Sequence, residues 1–107
     1  MIVYVDVDET VCQSPEDRDY SKAVPIKKNI KKINELYYNG HMIVYWTARG
    51  TTTGIDWTET TIKQLKKWGA KHHELKLGKP HYDLYIDDKS INAETYFGKS
   101  VCEVKNA

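Results

Sequence analysis

The chain alternates between short apolar runs and amphipathic stretches of helical period. Ile2 to Val5 is a β-branched and aromatic run that stops at Asp6-Val7-Asp8, the pattern of a strand buried on both faces with acids at its carboxyl end. Residues 9–24 are irregular and polar, and Pro25 follows, at a position where a first helical turn tolerates a missing N–H. Ile26, Ile30, Ile33 and Tyr37 then recur at helical spacing with lysines between them, and Gly40 supplies a left-handed stop. A second apolar run, Met42 to Trp46, breaks at Thr47-Ala48-Arg49-Gly50. Asp56 with Glu59 has the form of a capping box, and Ile62, Leu65 and Trp68 line one helix face up to Gly69. Residues 72–77 predict a third strand and 83–86 a fourth, ending in Asp87-Asp88; Ser90 is placed to cap a short helix closing near Gly98, and residues 100–104 predict an edge strand. This alternation implies an α/β fold with a parallel sheet flanked by helices and right-handed crossovers. Such sheets bind ligands where their strands end.

The composition narrows the picture without redirecting it. With 107 residues, 40% hydrophobic and 11% aromatic, residues 1–107 have room for a single domain with one core. Sixteen Lys+Arg against fifteen Asp+Glu give a net charge of +1, too weak a field to draw in nucleic acid or a membrane surface. The apolar runs are too short to span a bilayer and the amino terminus has no signal-peptide pattern, so the expected location is cytoplasmic. Cys12 and Cys102 lack CxxC or CxH spacing, which favours a reduced, metal-free pair over a disulfide or a zinc site.

The chemistry collects at the strand ends. Asp6 and Asp8 lie two residues apart where burial of charge is costly without a partner. Alone, the DxDxT pattern of Asp6, Asp8 and Thr10 reads equally as turn acids capping the next segment. Thr47 and Arg49 follow the second strand, Lys79 precedes the fourth, and Asp87-Asp88 follows it, so four polar clusters converge on one cleft of a parallel sheet.

These residues, in this order, resemble the four motifs of the haloacid dehalogenase superfamily: Val3-Tyr4-Val5-Asp6-Val7-Asp8-Glu9-Thr10-Val11, Ile43-Val44-Tyr45-Trp46-Thr47, Lys79, and Tyr85-Ile86-Asp87-Asp88. The small size and the surroundings Gly78-Lys79-Pro80-His81-Tyr82-Asp83 and Asp87-Asp88-Lys89-Ser90 are similar to small phosphatases of capsule and surface-polysaccharide biosynthesis. One departure is Glu9, where many members of the superfamily have glycine. The resemblance implies a Rossmann-like core without a cap domain, and a Mg2+-dependent phosphomonoesterase acting through an aspartyl phosphate. Asp6 would be the nucleophile; Asp8, starting protonated, would serve the leaving alcohol and then the attacking water. Asp6, Asp8 through its carbonyl, and Asp87 would hold the magnesium. Asp88 would hold a metal-bound water or orient Lys79, or it merely caps the following helix. Thr47 and Lys79 would bind the phosphoryl oxygens. Arg49 would recognise a second anionic group of the substrate through its fork, or is a surface arginine without a role.

The expected partner is a small-molecule phosphate ester, a sugar phosphate first. A homo-oligomer is plausible because capless relatives often use a neighbouring subunit as a partial lid. A nucleotidase or polynucleotide-end phosphatase would share the same catalytic set but needs aromatic or basic groups at the opening; a phosphate-binding regulatory module would keep the fold without turnover. Other features read as structure. Adjacent His72 and His73 point to opposite faces of a strand, His41 and His81 are lone, and Trp46, Trp57 and Trp68 fit core packing. Lys27, Lys28, Lys31 and Lys32 make a solvated helix face.

Overall fold

A computed structural model describes residues 1–98. Its elements are strands β1 (Ile2–Val5), β2 (Cys12–Gln13), β3 (Val24–Pro25), β4 (Met42–Trp46) and β5 (Glu74–Lys76), with helices α1 (Lys27–Tyr38), α2 (Thr58–Lys67) and α3 (Ala93–Phe97). A single turn of 3-10 helix covers Tyr20–Lys22. The predicted edge strand at 100–104, and Cys102 with it, lie outside the described residues.

The main sheet has the order β1-β4-β5, with both pairings parallel. Ile2 faces Met42 and Val5 faces Tyr45, while Val44 to Trp46 run beside Glu74 to Lys76. Two βα units, β1–α1–β4 and β4–α2–β5, supply the crossovers, as the alternation of periods requires. Central β4 carries the longest buried stretch, Ile43, Val44 and Tyr45, because a middle strand is covered on both faces and both edges. Ile30 and Ile33 of α1 and Leu65 of α2 close over Val5, Ile43 and Tyr45 in one core.

The predicted elements are present for β1, α1, β4, α2 and β5, and several details differ. Strand β1, expected to be buried on both faces, buries only Val5 and leaves Ile2 68% and Tyr4 52% exposed. The capping box expected of Asp56 and Glu59 does not form: Trp57 is the N-cap residue of α2 without a side-chain cap bond, and Asp56 accepts only the Thr58 N–H, at 2.9 Å. Helix α1 starts at Lys27 rather than Pro25, since Pro25 belongs to the small antiparallel pair β2–β3, opposite Cys12; proline is tolerated in so short a strand, where one missing donor costs little. On α2 the inward positions are Thr61 and Leu65, and Ile62 is half exposed. Asn92, not Ser90, caps α3, its side chain accepting from the Glu94 N–H. The fourth strand predicted at 83–86 is absent. Leu84 is 75% and Ile86 88% exposed, and the segment makes local contacts instead: Tyr85 packs on Tyr82 and its hydroxyl donates to Asp87. Strand β1 therefore keeps one edge unpaired within the described residues. Among those residues, no helix is long and apolar enough to cross a membrane.

Candidate functional site

Parallel strands deliver their carboxyl ends to one side of the sheet, and that side carries Asp6, Thr47 and Lys79. The loops after β4 and β5 are laced by backbone bonds: the Thr47 N–H donates to the Lys76 carbonyl at 2.9 Å and the Lys79 N–H to the Thr47 carbonyl at 3.1 Å. The Thr51 hydroxyl adds a bond to the Lys79 carbonyl at 2.8 Å. Backbone placement of this kind brings the Lys79 ammonium to 3.7 Å from Asp6 Oδ1. The Lys79 side chain is only 13% exposed and lies between the rings of Trp46 and Tyr82, 5.8 and 5.5 Å from their centroids. Thr47 is fully buried, and its hydroxyl accepts the Arg49 N–H at 3.1 Å.

Burial pushes the Asp6 carboxyl above its ordinary range, and the neighbouring Lys79 charge and the Val7 N–H, bonded at 2.9 Å, offset part of that rise; the nearby Asp8 charge adds to it. Desolvation thus exceeds the help of a single lysine.

Asp8 is held differently. Arg49 Nε donates to Oδ2 at 2.9 Å and Nη2 to Oδ1 at 2.8 Å, a two-pronged grip. The Ser14 hydroxyl and the Cys12 thiol also donate to Oδ1. Burial raises that thiol to about 12, with the Asp8 charge as a further cause, which leaves Cys12 protonated and unreactive at neutral pH. The Nη1 of Arg49 donates to the Thr61 hydroxyl at 3.1 Å and to Gln64 Oε1 at 2.6 Å, and Nη2 also reaches Cys12 Sγ at 3.7 Å. The guanidinium lies 4.8 Å from the Tyr20 ring centroid. All five of its N–H donors are therefore matched, and its side chain is fully buried.

This corrects two expectations about Arg49. It is neither a surface residue nor a free fork for a second anionic group of a substrate; its donors are spent within the protein. Thr61, Gln64, Ser14 and Tyr20 were not singled out from the sequence. The one available signal was Thr61, a polar residue where the helix period of Leu65 and Trp68 calls for an apolar one.

Glu9 takes the left-handed backbone that glycine adopts most easily, with φ 61°. Its N–H donates to the Cys12 carbonyl at 2.8 Å and its carboxylate accepts the Ser14 N–H at 3.0 Å, so a side chain at this position fastens the loop that a glycine would merely permit.

The acid set expected for magnesium is not gathered. Asp87 and Asp88 are exposed on the segment after β5. Asp87 closes its own turn, accepting the Lys89 N–H at 3.0 Å and the Tyr85 hydroxyl at 3.2 Å, and Asp88 pairs with Lys89 at 3.5 Å. The Asp8 carboxylate is paired with the Arg49 guanidinium. Among the described residues no three acid, histidine or cysteine side chains converge to hold a metal ion; of the two carboxylates expected for magnesium beside the Asp8 carbonyl, Asp6 stands at the end of β1 and Asp87 on the exposed segment, engaged in its own turn. His72 and His73 go to separate partners, the Ala70 carbonyl at 2.9 Å and the Ile43 N–H at 3.1 Å, in line with structural roles.

No family model matches the chain, and no curated protein is significantly similar. A crystal structure of a structural-genomics target from Vibrio cholerae is similar at 26% identity, with a TM-score of 0.81 over 99% of this chain and 95% of that one. The α/β fold of this chain is thus shared with an experimentally solved protein.

Proposed function

We propose that the chain is a phosphomonoesterase of the haloacid dehalogenase type, acting on a sugar phosphate or related small phosphate ester through an aspartyl phosphate on Asp6. The observation that carries this reading is the Asp6–Lys79 contact of 3.7 Å at the ends of parallel strands. A phosphate monoester hydrolyses extremely slowly in water, and catalysis needs a nucleophile in line and positive charge beside the phosphoryl oxygens. Asp6 supplies the first and Lys79 the second. A partly desolvated carboxylate beside an ammonium is a stronger nucleophile than a fully hydrated one, and the ammonium stays to neutralise the oxygens of the group as it arrives. Asp8, two residues on, exchanges the proton with the leaving oxygen and the incoming water.

The arrangement of Thr47 supports a structural contribution: its fully buried hydroxyl accepts the Arg49 N–H and fixes the loop that carries Arg49. No step is assigned to magnesium, because the described acids do not assemble its ligands. The choice of a surface-polysaccharide substrate rests on the resemblance around Lys79 and Asp87 alone. The Trp46 and Tyr82 rings beside Lys79 favour esters whose alcohol carries a ring, so sugar phosphates and nucleotides belong in the same test. Phosphate release should be measured across sugar phosphates, nucleotides, 3′- and 5′-phosphorylated oligonucleotides and an aryl phosphate, with Asp6→Asn as control. Turnover of sugar phosphates that disappears in the variant is the expected result. Absence of phosphate release from every ester, with and without added divalent cations, would leave a binding module as the better reading.

A further inference from the structure

We propose that Arg49 is a positioning residue for the phosphoryl-transfer reaction, acting through Asp8 by closing one carboxylate oxygen and leaving the other to carry the proton. The inference rests on the phosphatase reading and goes beyond it. Taking a guanidinium out of water is a poor way to gain stability, since an apolar substitute of similar volume often does as well. What a buried fork supplies is geometry: two parallel donors fix the plane of the carboxylate they hold.

The partners of Asp8 are unequal. Its Oδ1 receives Arg49 Nη2 at 2.8 Å, Arg49 Nε at 3.2 Å, the Ser14 hydroxyl and the Cys12 thiol, whereas Oδ2 receives only Arg49 Nε, at 2.9 Å. With its lone pairs taken, Oδ1 has no capacity for a further partner, and Oδ2 retains one. The Asp8 side chain is 20% exposed, so the remaining lone pair can meet a reacting group. Arg49 is itself anchored from the opposite side by two residues of α2, Thr61 and Gln64. Gln64 in turn donates to the Tyr20 carbonyl at 2.6 Å, which ties the segment between β2 and β3 to the same point. Orientation of Asp8 is thereby set by α2, one and a half βα units away in sequence. In the hydrolytic step, water bonds to phosphorus as the bond from phosphorus to Asp6 breaks, and the water's proton passes to Asp8 Oδ2. The oxygen of the next leaving alcohol takes that proton as its own bond to phosphorus breaks, so protons balance over one cycle.

A double-variant cycle with an aryl phosphate tests the inference. Arg49→Lys keeps the charge and loses the fork. It should lower kcat on the order of 100-fold, the scale of a misplaced catalytic group, with KM changed less than about twofold. In an Asp8→Asn background the same substitution should cost less than about threefold, because its target is already gone. A rise in KM with kcat intact would identify a substrate-binding arginine and overturn the proposal, as would losses that multiply in full. Gln64→Leu leaves the ion pair in place and removes one support of Nη1, so it serves the same cycle if Arg49→Lys fails to fold. A loss of about 3- to 10-fold in kcat that vanishes with Asp8→Asn supports positioning; an equal loss in both backgrounds, or none, rejects it. An inactive wild-type protein removes the phosphatase reading and this role together, whereas an active one with independent losses removes only the role of Arg49.

Discussion

Asp6 carries a cost that its neighbours do not cancel. Burial raises its carboxyl above the ordinary range despite Lys79, so the folded state binds a proton there more readily than the unfolded chain does. The sign follows from linkage. Stability from this group is fully present below the unfolded value of 3.8 and is lost as pH rises through the higher folded value. Asp6→Asn should therefore unfold at a higher temperature than wild type at pH 7, by a few degrees, and the gap should shrink as pH falls toward 4; parallel melts across that range check this. The same variant should lose phosphatase turnover by a factor of 1,000 or more, on the order of the loss when a covalent nucleophile is removed. A stabilised and inactive variant is what a site residue predicts, whereas a structural acid would lose stability when neutralised. Asp6 was legible in the sequence because it follows a strand whose apolar run ends abruptly, and Lys79 because its Gly78-Lys79-Pro80 setting marks a loop beside that cleft. The pairing of Asp8 with Arg49 was not legible, since no spacing rule connects residues on different loops, and an arginine reads as solvated until its partners are seen.

At the scale of elements, the loop after β4 depends on Gly50. With φ 80°, a Cβ built there would lie 2.0 Å from the Ile55 carbonyl oxygen, whereas one at Gly54, with φ 78°, meets nothing within 4 Å. Both glycines relieve the left-handed backbone, but only Gly50 also admits a close approach. Gly54→Ala should cost roughly 1 kcal/mol of unfolding free energy, the usual penalty for a side chain at positive φ. Gly50→Ala should cost clearly more, about 2–4 kcal/mol once overpacking is added, and urea unfolding of the two variants side by side separates the contributions. Because Arg49 precedes this turn, Gly50→Ala should also lower activity in the folded fraction. The strands that sequence reasoning found, β1, β4 and β5, each have a partner edge in the sheet, although β1 leaves Ile2 and Tyr4 exposed. The run at 83–86 has the same local character, yet its side chains face solvent and its acids close a turn. Local pattern states what a segment is able to form, and only a partner edge decides whether it forms.

Over the whole molecule, three parallel strands with helices packed over their core place the candidate residues at the strand ends, without a second domain over them among the described residues. The acids expected for magnesium sit in two places, Asp6 and Asp8 at the end of β1 and Asp87 and Asp88 on the exposed segment. Magnesium is held by few protein oxygens and retains several waters when a site offers one or two carboxylates. With Asp8 neutralised by Arg49, a single available carboxylate should bind the ion weakly, with a Kd above about 1 mM in the absence of substrate. Calorimetric titration of wild type, Asp6→Asn and Asp87→Asn checks this: Asp6→Asn should remove the weak heat, and Asp87→Asn should leave it unchanged. Submicromolar binding lost in Asp87→Asn would show the exposed segment joining the strand ends. The homo-oligomer expected of a capless enzyme belongs to the same scale, and the mass in solution measured with and without a phosphate ester tests it.

The backbone bonds that lace Thr47 to Lys76 and Lys79 to Thr47 also set a clock. An amide held by a neighbouring strand end exchanges with solvent only when that part of the sheet opens, whereas a loop amide exchanges through small local fluctuations. The Lys79 N–H should therefore exchange at a rate close to that of the pairing between β4 and β5, and far more slowly than the amides of Leu84 and Ile86 on the exposed segment. Native-state amide exchange resolved by residue reads this directly. An ammonium whose backbone waits for the sheet to open stays near Asp6 for as long as the sheet holds, so the lifetime of this pair is the lifetime of the sheet.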